Sequence, residues 1–370
     1  PSWFMRDGNW APDFPLTAKR LLWFLEKETG QQADGVIAIN LGAAKKILEA
    51  TGPVAVPDLS QTVSSNDFFE KAEYSSEINF FAGSTQKKDF LGAVARGMLA
   101  KVTAGASTNW PAMGQALFLA LEQKDIMIYF NAPGAEKIAV ESGWGGAITN
   151  NACGDGVTNC LMVVEANLGL NKANYFIKRE IGVASIIDQA GNIDTTITVR
   201  YHNASPSETW PGGKYKNYLR FLVPKGATVT GFDINNGRKP VISPILSAIE
   251  LEKLTTNQFF VFQTQEAASF SSFGTLVEVP LKSDLTVVFQ YRLPNKLVFA
   301  PQTNYTFNFL KQPGTGPDPL DVTLEYPGFL APENSDSLGN LLPLVFPQKL
   351  IYNSDTTTDR KFEVKFVNKI

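Results

Sequence analysis

Apolar positions change period partway along this chain. Up to about residue 180 they recur at helical spacing between short apolar runs, and beyond that point they alternate with polar ones. Residues 13–29 are predicted to form a helix, with Pro15 near its first turn and Gly30 placed to stop it. The run GVIAIN at 35–40 has the pattern of a strand buried on both faces. Helical spacing returns at 41–50 and ends at Gly52-Pro53, and 65–81 and 86–102 are two further helices. In the second of these Phe90, Leu91, Val94, Ala95, Met98, Leu99 and Val102 form one apolar stripe. A helix from about Pro111 leads into DIMIYF at 125–130, another buried strand. A short helix at 133–142 and a third strand, CLMVVE at 160–165, follow. Strands separated by helices predict α/β layers.

From about residue 181 the period is two. Ile193, Thr195, Ile197, Val199 and Tyr201 share one face, while Asp194, Thr196, Thr198 and Arg200 share the other. The same device recurs in Leu285, Val287, Phe289 and Tyr291, in Tyr305, Phe307 and Phe309, and in Phe362, Val364 and Phe366. Asn236-Gly237 signals a hairpin turn. Such strands between Gly, Pro and Asn clusters predict a β-sandwich. QPGTGPDP at 312–319 is a long turn or linker. The tail after it either stands alone or returns to the same sandwich, and return is the favoured reading. The expected organisation is therefore an α/β domain over 1–180 and a β-sandwich over 181–370.

Composition fits that division. At 370 residues the chain exceeds what one growing core accommodates. Hydrophobic residues at 44% and charged residues at 19% supply ordinary globular cores, and 26 phenylalanines suit sheets packed face to face. A net charge of -3 carries no basic excess, which argues against nucleic acid as a partner. No apolar run reaches the length of a membrane helix. Pro1 is not a translation start, so a processed product or a cut piece is expected, with any membrane anchor upstream. Cys153 and Cys160 enclose a six-residue polar loop that a disulfide closes in an oxidising compartment; two free thiols are the alternative.

Candidate chemistry is sparse. His202 is the one histidine, no G-x-S-x-G elbow accompanies it, and an ordinary strand histidine is the expectation. No P-loop or dinucleotide glycine fingerprint occurs, and Gly143-Trp144-Gly145-Gly146 reads as a tight turn. Three polar groups remain: Arg6-Asp7 with Asn9 and Asp13 ahead of the first helix, Lys87-Lys88-Asp89 opening the striped helix, and Lys178-Arg179. Two cations in a first helical turn oppose the helix dipole, a placement suited to an awaited anion. A solvated element end is the competing reading for each group.

The run RDGNWAPDFP at 6–15 resembles a signature of the bacterial family named domain of unknown function 4012. So do ADGVIAI at 33–39, TGPV at 51–54, QKKDFL at 86–91, EANLG at 165–169, KAN at 172–174, YLRFLVPKG at 218–226 and KQPG at 311–314. The α/β part is also similar, more distantly, to LytR-CpsA-Psr enzymes, which transfer glycopolymers from a polyprenyl-pyrophosphate carrier outside the membrane. That resemblance implies a LytR-CpsA-Psr-like α/β domain with an incomplete N-terminal sheet edge, covered by a partner chain or by self-association. It implies an extracytoplasmic, cell-surface or secreted location. It places Arg6, Lys87 and Lys88 as pyrophosphate-binding cations and Asp7 or Asp13 as carboxylates for Mg²⁺; no other cofactor is expected. The arginine-rich run that precedes the equivalent helix in those enzymes is replaced here by Phe80-Phe81-Ala82-Gly83-Ser84. The expected function is therefore a non-catalytic envelope protein that binds a polyprenyl-linked glycan or another envelope protein. The alternative is a phosphotransferase acting on polyprenyl-pyrophosphate-linked glycopolymers.

Overall fold

The computed structural model describes residues 3–56, 61–77, 86–104, 109–149, 153, 158–169, 171–239, 241–242, 261–264, 270–333 and 343–369. By contacts the chain divides into two compact units, Pro1–Ala147 and Ile148–Ile370.

In the first unit, helix α1 (Phe14–Thr29) starts where the sequence places a cap. The Asp13 carboxylate accepts the Leu16 N–H at 3.1 Å, and Gly30 at φ 72° closes the last turn. Strand β1 (Gly35–Ile39) and helix α2 (Leu41–Thr51) follow, the latter capped by Asn40. A short antiparallel hairpin, β2 (Val54–Val56) with β3 (Gln61–Val63), was not legible in the pattern, because three-residue strands are too short to display a period. Then come α3 (Phe68–Glu77), α4 (Gln86–Ala104), α5 (Trp110–Glu122), β4 (Ile126–Phe130) and α6 (Pro133–Glu141). The expected helix at 65–81 begins three residues late, since Asp67 turns back to accept the Ser64 N–H at 2.7 Å; its expected last residues lie outside the described ones.

Among the described residues β1 and β4 form a two-stranded antiparallel sheet, with Ile37 opposite Ile128. Val36 and Ala38 pack with Phe14, Ala18 and Tyr129, but Ile37 and Ile39 are 63% and 60% exposed. β1 is therefore not buried on both faces as its apolar run suggested; it is the edge of a small sheet, covered among the described residues on one face only. The stripe on α4 is likewise narrower than expected. Phe90 and Val94 are buried against Leu48, Val54 and Phe68, whereas Ala95 and Leu99 face outward. Gly97 is where α4 lies down on the hairpin: a Cβ there would stand 2.6 Å from Val54 Cγ1.

Among the described residues the second unit is built from two eight-stranded sheets. One contains β6 (Ile177–Ile187), β7 (Ile193–Asn203), β9 (Thr228–Ile234), β10 (Gly237–Arg238), β14 (Asp284–Arg292), β16 (Pro319–Glu325), β18 (Leu344–Phe346) and β19 (Lys349–Asp355), in the order β10-β9-β14-β7-β6-β16-β19-β18. The other contains β5 (Asn159–Asn167), β8 (Tyr215–Pro224), β11 (Val241–Ile242), β12 (Val261–Thr264), β13 (Phe270–Val279), β15 (Gln302–Leu310), β17 (Leu330–Pro332) and β20 (Arg360–Asn368), in the order β11-β12-β13-β8-β5-β15-β20-β17. Their inner faces share one core: every alternating residue singled out on β7, β14, β15 and β20 is buried in it. Phe221 of one sheet stacks on Phe289 of the other with centroids 4.8 Å apart. The strands after residue 319 belong to these same sheets, β16 lying parallel to β6 and β20 antiparallel to β15.

Two expectations are corrected here. The run at 160–165 is not a strand of the α/β layer. It is central in a large sheet, antiparallel to β8 and parallel to β15, with Leu161 and Val163 in the inter-sheet core and Cys160, Met162 and Val164 in a second cluster with Leu222 and Phe270. An apolar run buried on two faces has the same pattern in either setting, so the compact units meet at 147/148 rather than near 180. The hairpin turn is Asn235-Asn236, at φ 48° and 62°, and Gly237 already pairs with Ile234. Asparagine tolerates the left-handed region well enough to supply both turn positions.

A polar layer interrupts the sandwich core. Asn159, fully buried, accepts the Tyr291 hydroxyl at 2.6 Å and donates to Thr195 Oγ1 at 2.9 Å and Ser185 Oγ at 3.2 Å.

Candidate functional site

Strand parity on β6 places Arg179, Ile181, Val183, Ser185 and Ile187 on the inward face, and all five are buried. An arginine among apolar neighbours needs partners, and it finds two carboxylates. Glu165, near the end of β5 in the opposite sheet, lies 3.0 Å from Nη1 through Oε2. Asp318, just ahead of β16, accepts Nε at 3.0 Å and Nη2 at 2.6 Å on Oδ2.

The ring around this trio is built from both sheets. The Tyr201 hydroxyl donates to Glu165 Oε1, and that of Tyr215 reaches Oε2 at 3.5 Å. Gln312 clasps the backbone of Glu165, accepting its N–H on Oε1 and donating from Nε2 to its carbonyl, both at 2.8 Å. The segment that carries Gln312 turns at Gly314, whose φ of 81° is left-handed, and Thr315 Oγ1 ties back to the Gln312 carbonyl at 2.8 Å. Asp318 is fixed from behind, its N–H donating to Thr356 Oγ1 at 3.0 Å.

Electrostatics follow from burial and from two carboxylates sharing one cation. Burial alone pulls the Arg179 guanidinium down, but Glu165 and Asp318 more than reverse this and hold it above its ordinary value. Burial pushes the Asp318 carboxyl up, although Arg179 beside it pulls the other way. Burial and then Glu165 raise the Tyr201 and Tyr215 hydroxyls well above the phenolic range, so both remain donors.

The cluster lines a cleft of about 190 Å³ together with Asn167, Asn174 and the loop at 312–316. Asn167 is oriented by Asn171 and Asn174, donating to the Asn171 carbonyl at 2.9 Å and Asn174 Oδ1 at 3.0 Å. Preset amides, carboxylates and one guanidinium around a single aromatic side chain suit hydrogen bonding to a small polar molecule. The volume lies below the roughly 300–1,000 Å³ typical of drug-sized ligands.

Of the polar groups singled out in the sequence, Arg179 lines this cleft, and Arg6, Asp7 and Asp13 are not among its lining residues. Arg6 is on the surface turn Met5–Asp7, 79% exposed at its side chain, with its guanidinium 5.1 Å from the Phe4 ring and 3.9 Å from Asp7. Asp7 accepts the Phe4 N–H at 3.1 Å and Asp13 caps α1, so each uses a carboxylate oxygen on backbone. Lys87 and Lys88 occupy the first turn of α4, and their side chains lie outside the described residues. Among the described residues no group of three or more His, Cys, Asp or Glu converges as a metal site. Cys153 and Cys160 are disulfide-bonded, Cα atoms 5.6 Å apart. His202 pairs across the strands with Asp284, Nδ1 2.7 Å from Oδ1. The cleft itself was missed, although Arg179 had been singled out as charged and Glu165, Asn167, Asn174, Gln312 and Gly314 fall in the family-like segments. The signal was there in parity: Arg179 occupies an inward position of an alternating strand.

No curated protein matches the chain. Among solved structures it is similar to leukotriene A4 hydrolase from Saccharomyces cerevisiae, at 8% identity and a TM-score of 0.29, over 53% of this chain and 30% of that one. It is similar also to an M1 zinc metallopeptidase from Deinococcus radiodurans, at 9% identity and a TM-score of 0.25, over 52% and 42%. The chain thus spans less than half of either protein. The family model described as "Protein of unknown function (DUF4012)" matches residues 1–74. Over that N-terminal segment the chain is similar to the DUF4012 family.

Proposed function

We propose that this is an extracytoplasmic cell-envelope protein with a non-catalytic binding role, and that the cleft at Glu165, Arg179 and Asp318 holds a small hydroxylated ligand such as one sugar residue of an envelope glycan. The observation that carries the reading is the rigidity of the polar lining. Each charged group of the floor is already paired and fixed by neighbours, so a ligand meets oriented donors and acceptors without ordering them first. The Cys153–Cys160 bridge supports an oxidising compartment. The LytR-CpsA-Psr-like reading of the α/β unit belongs to the same proposal, with the transferase chemistry left out because Asp7 and Asp13 serve as backbone caps and Arg6 stands on the surface. The edge strand β1, with Ile37 and Ile39 exposed, supports strand addition by an envelope partner.

The test is titration of the protein with glucose, N-acetylglucosamine and glucosamine, followed by saturation-transfer NMR. Binding of at least one sugar at millimolar concentration, weakened by Asn174→Ala or Thr315→Ala on the cleft wall, is the expected result. Binding of none, or binding indifferent to both substitutions, overturns the reading.

A further inference from the structure

The charged residues that line the cleft are Glu165, Arg179 and Asp318, two carboxylates against one guanidinium. Among the described residues no further charge is coupled to Arg179 and Asp318 strongly enough to correct the imbalance. Lys311 and Asp359, next to Gln312, bring one charge of each sign, the Lys311 N–H donating to Asp359 Oδ1 at 2.7 Å. Arg360 and Asp355 form another balanced pair. Lys178 points to the opposite face of β6 from Arg179, as the alternation of the strand requires.

The imbalance is sited, not diffuse. Arg179 directs both Nε and Nη2 at Oδ2 of Asp318, which leaves Oδ1 without an arginine contact on a carboxylate whose side chain is 18% exposed. Of the arginine's nitrogens Glu165, 12% exposed, has only Nη1, and the hydroxyl it accepts from Tyr201 brings no charge. A carboxylate withdrawn from water with half a counter-charge is costly, and the upward push on the Asp318 carboxyl is the expected symptom.

Building on the proposed sugar-binding role, we propose that the cleft selects ligands bearing a protonated amine, whose ammonium group settles against Asp318 and Glu165 as the missing counter-charge. An amino sugar satisfies both parts, its hydroxyls meeting Asn167, Asn174 and Gln312. Phosphorylated or carboxylated sugars are rejected, because they would add a further negative charge to a site already in excess.

The experiment is a calorimetric comparison of glucosamine, glucose, N-acetylglucosamine and glucose-6-phosphate at pH about 6, where an aliphatic amine is protonated. Glucosamine is expected to bind about tenfold or more tightly than glucose, the range of a charge-assisted hydrogen bond, and glucose-6-phosphate more weakly than glucose. Asp318→Asn is expected to bring the glucosamine-to-glucose affinity ratio close to one. The wild-type comparison stands by itself should that variant fail to fold. Equal affinity for glucosamine and glucose, or a preference unchanged in Asp318→Asn, overturns the amine inference and leaves the sugar-binding role intact. Failure of all four ligands overturns that role, and the inference with it.

Discussion

Arg179 on β6 and Glu165 on β5 belong to different sheets, and Nη1 of one lies 3.0 Å from Oε2 of the other. Together with Asp318 they form a buried tie across the sandwich. Arg179→Ala is expected to cost about 3–5 kcal/mol, because it leaves two carboxylates without their cation. Arg179→Met combined with Glu165→Gln and Asp318→Asn recovers most of that loss, since no charge then stays uncompensated. Urea unfolding of the single and triple variants checks this. A triple variant as unstable as Arg179→Ala refutes the charge argument.

Asn159 is the hub of the other buried polar layer. Asn159→Ala removes the acceptor of the Tyr291 hydroxyl and the donor to Thr195 and Ser185, stranding hydroxyls inside an apolar core. A loss of about 3 kcal/mol is expected. Thermal unfolding measures it, and a change below about 1 kcal/mol would mean that the hydroxyls satisfy one another.

Asp67 gives the first unit an acid-sensitive contact. Burial pushes its carboxyl up, but the Lys71 ammonium and the Ser64 N–H and hydroxyl outweigh that and hold it down to about 2. A depressed folded value means that the stabilisation is present above the unfolded value near 3.8 and is lost as pH falls from about 4 through about 2. The group is 37% exposed at its side chain, so solvent screening keeps the effect small. Asp67→Asn is expected to flatten the acid limb of the first unit's stability profile in that window and to shift no other part of it. Amide exchange at Ser64 and Lys71 against pH reads it directly.

The Cys153–Cys160 bridge closes a short loop next to the cluster of Met162, Val164, Leu222 and Phe270. Replacing both cysteines by serine is expected to cost about 2 kcal/mol, as for a loop of this length. Intact-mass analysis after alkylation without reductant should find neither thiol modified. Labelling of both thiols would remove the bridge and the compartment argument with it.

What the sequence determined by itself was local. Asp13 as a cap and Gly30 as a stop bound α1 because capping chemistry acts within one turn. The inward residues of β7, β14, β15 and β20 were readable because a strand with one buried face carries its parity in the sequence. Tertiary structure decided what local pattern leaves degenerate. CLMVVE has the same apolar run whether it lies beneath helices or between β8 and β15, and only its pairing fixes the sheet. Ile37 and Ile39 belong to a run that reads as buried, yet the two-stranded sheet leaves them exposed. Glu165, Arg179, Gln312 and Asp318 are separated by up to 153 positions and meet because β5 and β6 sit in opposing sheets while parallel pairing draws β15 and β16 alongside them. Charge pairing at that range depends on register between distant strands, a quantity that no window of the sequence contains.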